Sequence, residues 1–78
     1  MDKWISVNDR LPRTPNAFLV YYGFKDENGE MYETRYIGTM TFFAFDKEPH
    51  WQHEGSYGLT VTHWMPLPEP PKEMNDDG

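Results

Sequence analysis

Packing alone has to hold this chain together, because its 78 residues include no cysteine and therefore no disulfide. A single domain near this length leaves a large share of its surface in water, so each buried side chain must contribute much area. The sequence supplies that area as rings: 3 Trp, 5 Tyr and 5 Phe, each able to bury on the order of 150–250 Å². An aromatic core follows. Without a thiol there is also no thiolate nucleophile and no Cys-ligated zinc.

The order of elements is read from prolines and two-residue periodicity. Trp4-Ile5-Ser6-Val7 opens as an extended arm. Pro12 and Pro15 then fix φ and remove N–H donors, so the next stretch is a loop and not a helix. Phe18–Phe24 is apolar or aromatic at almost every position, as a central strand requires. Lys25–Glu30 is a hairpin loop in which Asn28-Gly29 takes positive φ. Met31–Ile37 and Met40–Phe45 read as two further strands or one long kinked strand, with Gly38-Thr39 as a break or bulge between them. Asp46–Gly58 has neither period and reads as a long loop carrying Trp51 and Tyr57, while Leu59–Trp64 alternates as a last strand.

The expected architecture is therefore all-β or a β-rich α+β arrangement. It is a small antiparallel sheet of three to four strands with an aromatic core formed by Trp4, Leu19, Val20, Tyr22, Phe43, Val61 and Trp64. Pro66, Pro68, Pro70 and Pro71 predict a C-terminal polyproline strap laid on the sheet. One domain spans residues 1–72, and 73–78 form a disordered acidic tail.

Thirteen acidic against seven basic residues leave a net charge of −6, which is too few cations to neutralise a run of phosphates. Direct nucleic-acid binding is not expected. The longest apolar stretch, Ala17–Tyr22, is far short of the roughly 20 residues of a membrane span. The opening Met1-Asp2-Lys3-Trp4 has no basic segment leading into an apolar run. No membrane association and a cytoplasmic location, in a bacterial host, are the expectation.

Two end segments carry a resemblance. Trp4-Ile5-Ser6-Val7-Asn8-Asp9-Arg10-Leu11-Pro12 and Thr62-His63-Trp64-Met65-Pro66-Leu67-Pro68-Glu69-Pro70-Pro71 resemble the opening and closing signatures of the domain of unknown function 551 family, small proteins found largely in phages and prophages. The likeness covers nearly the whole chain. It departs at Met31–His53, which is longer and more aromatic than the family's strand-turn-Trp pattern. The resemblance implies a phage or prophage accessory protein, of the kind that modulates host defence or metabolism.

No constellation in the sequence dictates a reaction. Asp46, Glu48 and Glu54 sit in a polar loop where all stay solvated, and Gly55-Ser56-Tyr57-Gly58 lacks the strand-turn-helix setting of a nucleophile elbow. His50, His53 and His63 have no diagnostic metal spacing, so neither a metal nor a cofactor is expected. The expected function is non-enzymatic protein binding to a host protein, with Trp51, Tyr57, His50, His53 and Glu54 as the contact residues, because Trp and Tyr dominate interface energetics. The alternative is a small, nucleotide-like ligand held beneath the polyproline strap, with Arg35 or Arg10 meeting its phosphate. A monomer or weak dimer is expected, since Glu33 and Arg35 on an outer strand discourage edge pairing.

Overall fold

The computed structural model describes residues 3–69. The chain forms β1 (Ile5–Ser6), β2 (Asn16–Phe24), β3 (Tyr36–Phe43), β4 (His50–Trp51) and β5 (Leu59–Pro66), with one 3₁₀ turn at Ser56–Gly58. All pairings are antiparallel, in a single curled sheet of order β1-β5-β2-β3-β4. The longest strand, β2, occupies the centre, as its two-sided apolar pattern predicts.

The hairpin after β2 closes as its turn chemistry dictates. Asp26 Oδ1 accepts from the backbone N–H groups of Asn28 (2.8 Å) and Glu30 (2.9 Å), and Gly29 takes φ 84°. The returning chain does not form the expected Met31–Ile37 strand. Met31 makes an isolated bridge to Lys25, and regular pairing resumes only where Tyr36 meets Tyr22. Tyr32–Arg35 therefore bulges out opposite the shorter Gly23–Phe24, and the Arg35 guanidinium donates to the carbonyls of Tyr32 and Thr34. Gly23 lets the Met31 and Arg35 side chains fold over β2, since a Cβ there would lie 2.8 Å from Met31 Cε and 3.0 Å from Arg35 Cδ and displace them. Gly38 is no break: it sits inside β3 opposite Val20, and β3 ends at Phe43, not Phe45.

A second irregularity decides which side chains are buried. On a regular strand Val61 and Trp64 would face opposite ways. The register of β5 against β2 shifts by one residue between Tyr21↔His63 and Tyr22↔Val61, so Thr62 is the extra residue. Val61 and Trp64 consequently face the same side, and both are buried. The core is Val20, Met40, Phe42, Trp51, Leu59, Val61 and Trp64. Trp51 packs tilted against Phe42 (4.7 Å) and meets Trp64 at 6.5 Å, with Phe18 edge-on to both indoles. β4 and β5 stand three strand spacings apart, roughly 14 Å in a flat sheet. The close approach of their two indoles requires the sheet to curl around Phe18.

Four expected core residues lie elsewhere. Trp4 is 38% exposed, Leu19 and Phe43 alternate onto the opposite face of the sheet, and Tyr22 packs at the edge of the core against Phe24 and Tyr36. Met40, Phe42, Trp51 and Leu59 take their places. The two end segments meet: Ile5 pairs with Trp64, Ser6 pairs with His63, and Trp64 Nε1 donates to the Arg10 carbonyl at 2.9 Å. Pro66 is the last residue of β5, opposite Phe18, and Leu67–Glu69 are exposed. A strap laid on the rings is not seen in these residues. Pro70, Pro71 and the tail at 73–78 lie outside the described residues.

Candidate functional site

The sheet has two unlike faces. Alternation and register put Phe18, Val20, Tyr22, Met40, Phe42, Trp51, Val61 and Trp64 on the core side. They put Trp4, Leu19, Tyr21, Ile37, Thr39, Thr41, Phe43, His50, His63 and Met65 on the other. No residue of any strand is Asp, Glu, Lys or Arg; every full charge of the described chain is in a loop or turn. An antiparallel sheet that turns one face to water normally carries charge there. This outer face instead offers rings, methyls and hydroxyls.

It carries a cleft of about 270 Å³ lined by Trp4, Tyr21 and His63. Tyr21 lies 5.9 Å from Trp4 and meets the His63 ring edge-on at 6.0 Å. The Thr62 bulge sets the imidazole. Thr62 Oγ1 donates its only proton to the Tyr21 carbonyl (3.2 Å), so toward His63 Nδ1 (2.9 Å) it can only accept. Nδ1 therefore carries the ring hydrogen of neutral His63, and Nε2 is left as an acceptor. A second hollow of about 340 Å³ shares His63 and runs past Ser6, Asn8 and Thr60 to Met31 and Lys25.

The sequence-predicted contact residues do not form one patch. Trp51 is 1% exposed and belongs to the core; its position next to an alternating Phe42 partner, not its loop-like neighbours, decides this. Its backbone N–H reaches Glu54 Oε1 at 3.4 Å. His50 lies on the outer face, 5.2 Å from Phe43, with Nδ1 donating to the Glu48 carbonyl at 2.8 Å. His53 and Glu54 are exposed in the following turn. Tyr57 is 95% exposed and held at φ 53°, a left-handed conformation rare for a ring-bearing residue. Beside it Gly58 (φ 81°) approaches Lys25 so closely that a Cβ would run into its backbone carbonyl, while Gly58 O accepts the Lys25 N–H at 2.9 Å.

Of the predicted phosphate ligands, Arg35 is turned back on the Tyr32–Thr34 carbonyls and Arg10 pairs with Asp9 at 3.2 Å. They belong to different loops and do not converge on one pocket. No group of three or more His, Cys, Asp or Glu side chains converges among the described residues. His50 and His63 are on strands separated by two others. Among those residues no helix is long and apolar enough to cross a membrane.

A family model described as protein of unknown function (DUF551) matches residues 3–72. The chain belongs to the DUF551 family. No curated protein and no solved structure matches it. The geometry divides the two end segments of this DUF551 chain by role. Pro12 and Trp64 are consumed by the fold, whereas Trp4 and His63 are placed on the outer face, where packing does not require them. Sequence reading missed this pair because Trp4 was assigned to the core, and because unbulged alternation puts His63 on the buried side with Val61.

Proposed function

We propose that this DUF551 chain is a non-enzymatic binding protein that engages a protein partner through the outer face of its sheet, centred on Trp4, Tyr21 and His63. The observation that carries this reading is the complete lack of charged strand residues on a sheet face over which the described residues place no second layer. Such a face desolvates cheaply, and its exposed ring area is the kind that dominates interface energetics. His63 Nε2 and the Thr39 and Thr41 hydroxyls supply directional hydrogen bonds within it. The family resemblance adds a biological setting: an accessory protein of phage or prophage type that modulates a host protein in the cytoplasm.

The test is capture from bacterial lysate on immobilised wild-type protein, Trp4→Ala and Tyr21→Lys. Both variants are expected to keep the wild-type unfolding midpoint within about 1 kcal/mol, since the changed side chains are partly exposed, and to lose the captured protein. Retention of the same protein by both folded variants would overturn the assignment of the face.

A second surface is favoured by one observation, the display of Tyr57 at positive φ, since strain of this kind collects at recognition sites. If Tyr57→Ala alone abolishes capture, the contact lies on the Glu54–Gly58 turn. The small-ligand alternative is best placed in the Trp4–Tyr21–His63 cleft, where a nucleobase would stack. A nucleotide panel then reads it directly, because ligand at 100 times its dissociation constant adds about 2.7 kcal/mol to stability.

A further inference from the structure

On one side of the sheet only the two-residue β4 lies beyond β3, and most of the outer edge of β3 is bare among the described residues. Thr41 shows which backbone groups point outward: its carbonyl accepts from Gln52 N (2.9 Å) and its N–H meets Gln52 Oε1 (3.3 Å), both on the β4 side. Alternation then turns the N–H and C=O of Ile37 and Thr39 outward as well, while those of Tyr36, Gly38 and Met40 face β2. β4 pairs only with Phe42 and Phe43, so among the described residues the four outward groups of Ile37 and Thr39 have no strand beside them. Proteins normally guard such an edge with charge, proline or a bulge. The stretch Tyr36-Ile37-Gly38-Thr39-Met40 has neither charge nor proline, and Ile37 is 62% exposed. Glu33 and Arg35, the charges that the sequence places near it, are carried off in the Tyr32–Arg35 bulge.

We propose that this edge pairs with β3 of a second copy, antiparallel about a two-fold axis at Gly38. In that register Ile37 stands opposite Thr39 of the partner subunit, and the two exchange both N–H···O=C bonds, as directly opposed hydrogen-bonded residues do. The two-fold repeats the exchange, so all four outward groups are satisfied by four bonds. Gly38 meets its own copy at the non-hydrogen-bonded position, where the strands come closest and no side chain intervenes. The contact ends where it must: beyond Met40 the outward groups of Thr41 are already taken by Gln52, and before Tyr36 the chain leaves the sheet. A strand of different sequence satisfies the same backbone groups, but this one matches itself in length, register and lack of charge. Two molecules of net charge −6 thereby meet along a stretch where neither carries any. The pairing joins both outer faces on one side of a continuous sheet, and it does not depend on what those faces bind.

Sedimentation velocity of the full chain over a rising concentration series tests this, together with Ile37→Lys and Thr39→Lys. Wild type is expected to move from 9.3 kDa toward twice that mass, with the Ile37 and Thr39 amides becoming slower to exchange with deuterium as concentration rises. Both lysine variants are expected to stay at monomer mass with an unchanged unfolding midpoint. A wild type that stays monomeric throughout, with those two amides exchanging fast, would overturn the proposal and leave the edge to a foreign strand. A dimer that survives both lysines would overturn it equally and move the contact to the outer face.

Discussion

Trp51 and Tyr57 belong to one stretch of sequence without regular periodicity, yet their side chains have opposite fates. Trp51 is drawn into the core because its backbone pairs with Phe42 and its ring fills the space between Phe42, Phe18 and Trp64. Tyr57 touches nothing that would bury it and is held outward by a left-handed backbone. Alanine substitutions at the two positions therefore report different things. Trp51→Ala is expected to cost about 3 kcal/mol or more, the usual range for emptying a buried aromatic site. Part of the loss is offset because Trp51 Nε1 is buried with no hydrogen-bond partner, and removing it relieves a desolvation cost of about 1–3 kcal/mol. Tyr57→Gly is expected to change stability by less than about 1 kcal/mol, since relief of the positive φ balances the greater freedom of the unfolded glycine. Urea midpoints of the two variants check both expectations. Loss of partner capture by Trp51→Ala would accordingly report unfolding, and only loss by Tyr57→Gly would report a contact.

The Thr62 bulge separates what alternation can forecast from what it cannot. Phe18–Phe24, the Asn28-Gly29 hairpin and Leu59–Trp64 were legible because each has a local cause: a two-sided apolar run, a turn pair able to take positive φ, and alternation within a short strand. Trp51, Trp4 and His63 were misplaced because their faces are set by pairing with distant strands and by one inserted residue, neither of which leaves a local mark. β4 and β1, at two residues each, are too short to show any period. The bulge makes an unusual prediction about deletions. Removing Thr62 leaves Val61, His63 and Trp64 in simple alternation against Tyr22, Tyr21 and Val20, so the buried set is kept. The expected cost is about 2 kcal/mol, for the two bonds to Tyr21 O and from Val7 N at roughly 1 kcal/mol each. Removing Thr60 instead turns Leu59 away from the core and pulls Gly58 from its bond to Lys25, and this variant is expected not to fold. Circular dichroism melts of the two deletions decide the matter; equal damage from both would contradict the assigned register.

Charge in this molecule is segregated from structure: the strands hold no Asp, Glu, Lys or Arg, and the thirteen acids of the chain outnumber its seven bases. Among the described residues one ion pair joins permanently charged groups, Arg10–Asp9 at 3.2 Å, and it is exposed. Exposed pairs of this kind are worth between nothing and about 1 kcal/mol. The net charge of −6, by contrast, opposes compaction of the whole chain. Raising sodium chloride from about 10 mM to about 1 M shortens the Debye length from about 30 Å to about 3 Å, which screens the repulsion and the weak pair together. The repulsion is the larger effect, because acids outnumber bases and the sheet that carries the packing contains no ion pair to lose. The urea midpoint is therefore expected to rise modestly with salt. A fall would mean that attractive charge interactions contribute to the fold, which the separation of uncharged strands from charged loops argues against.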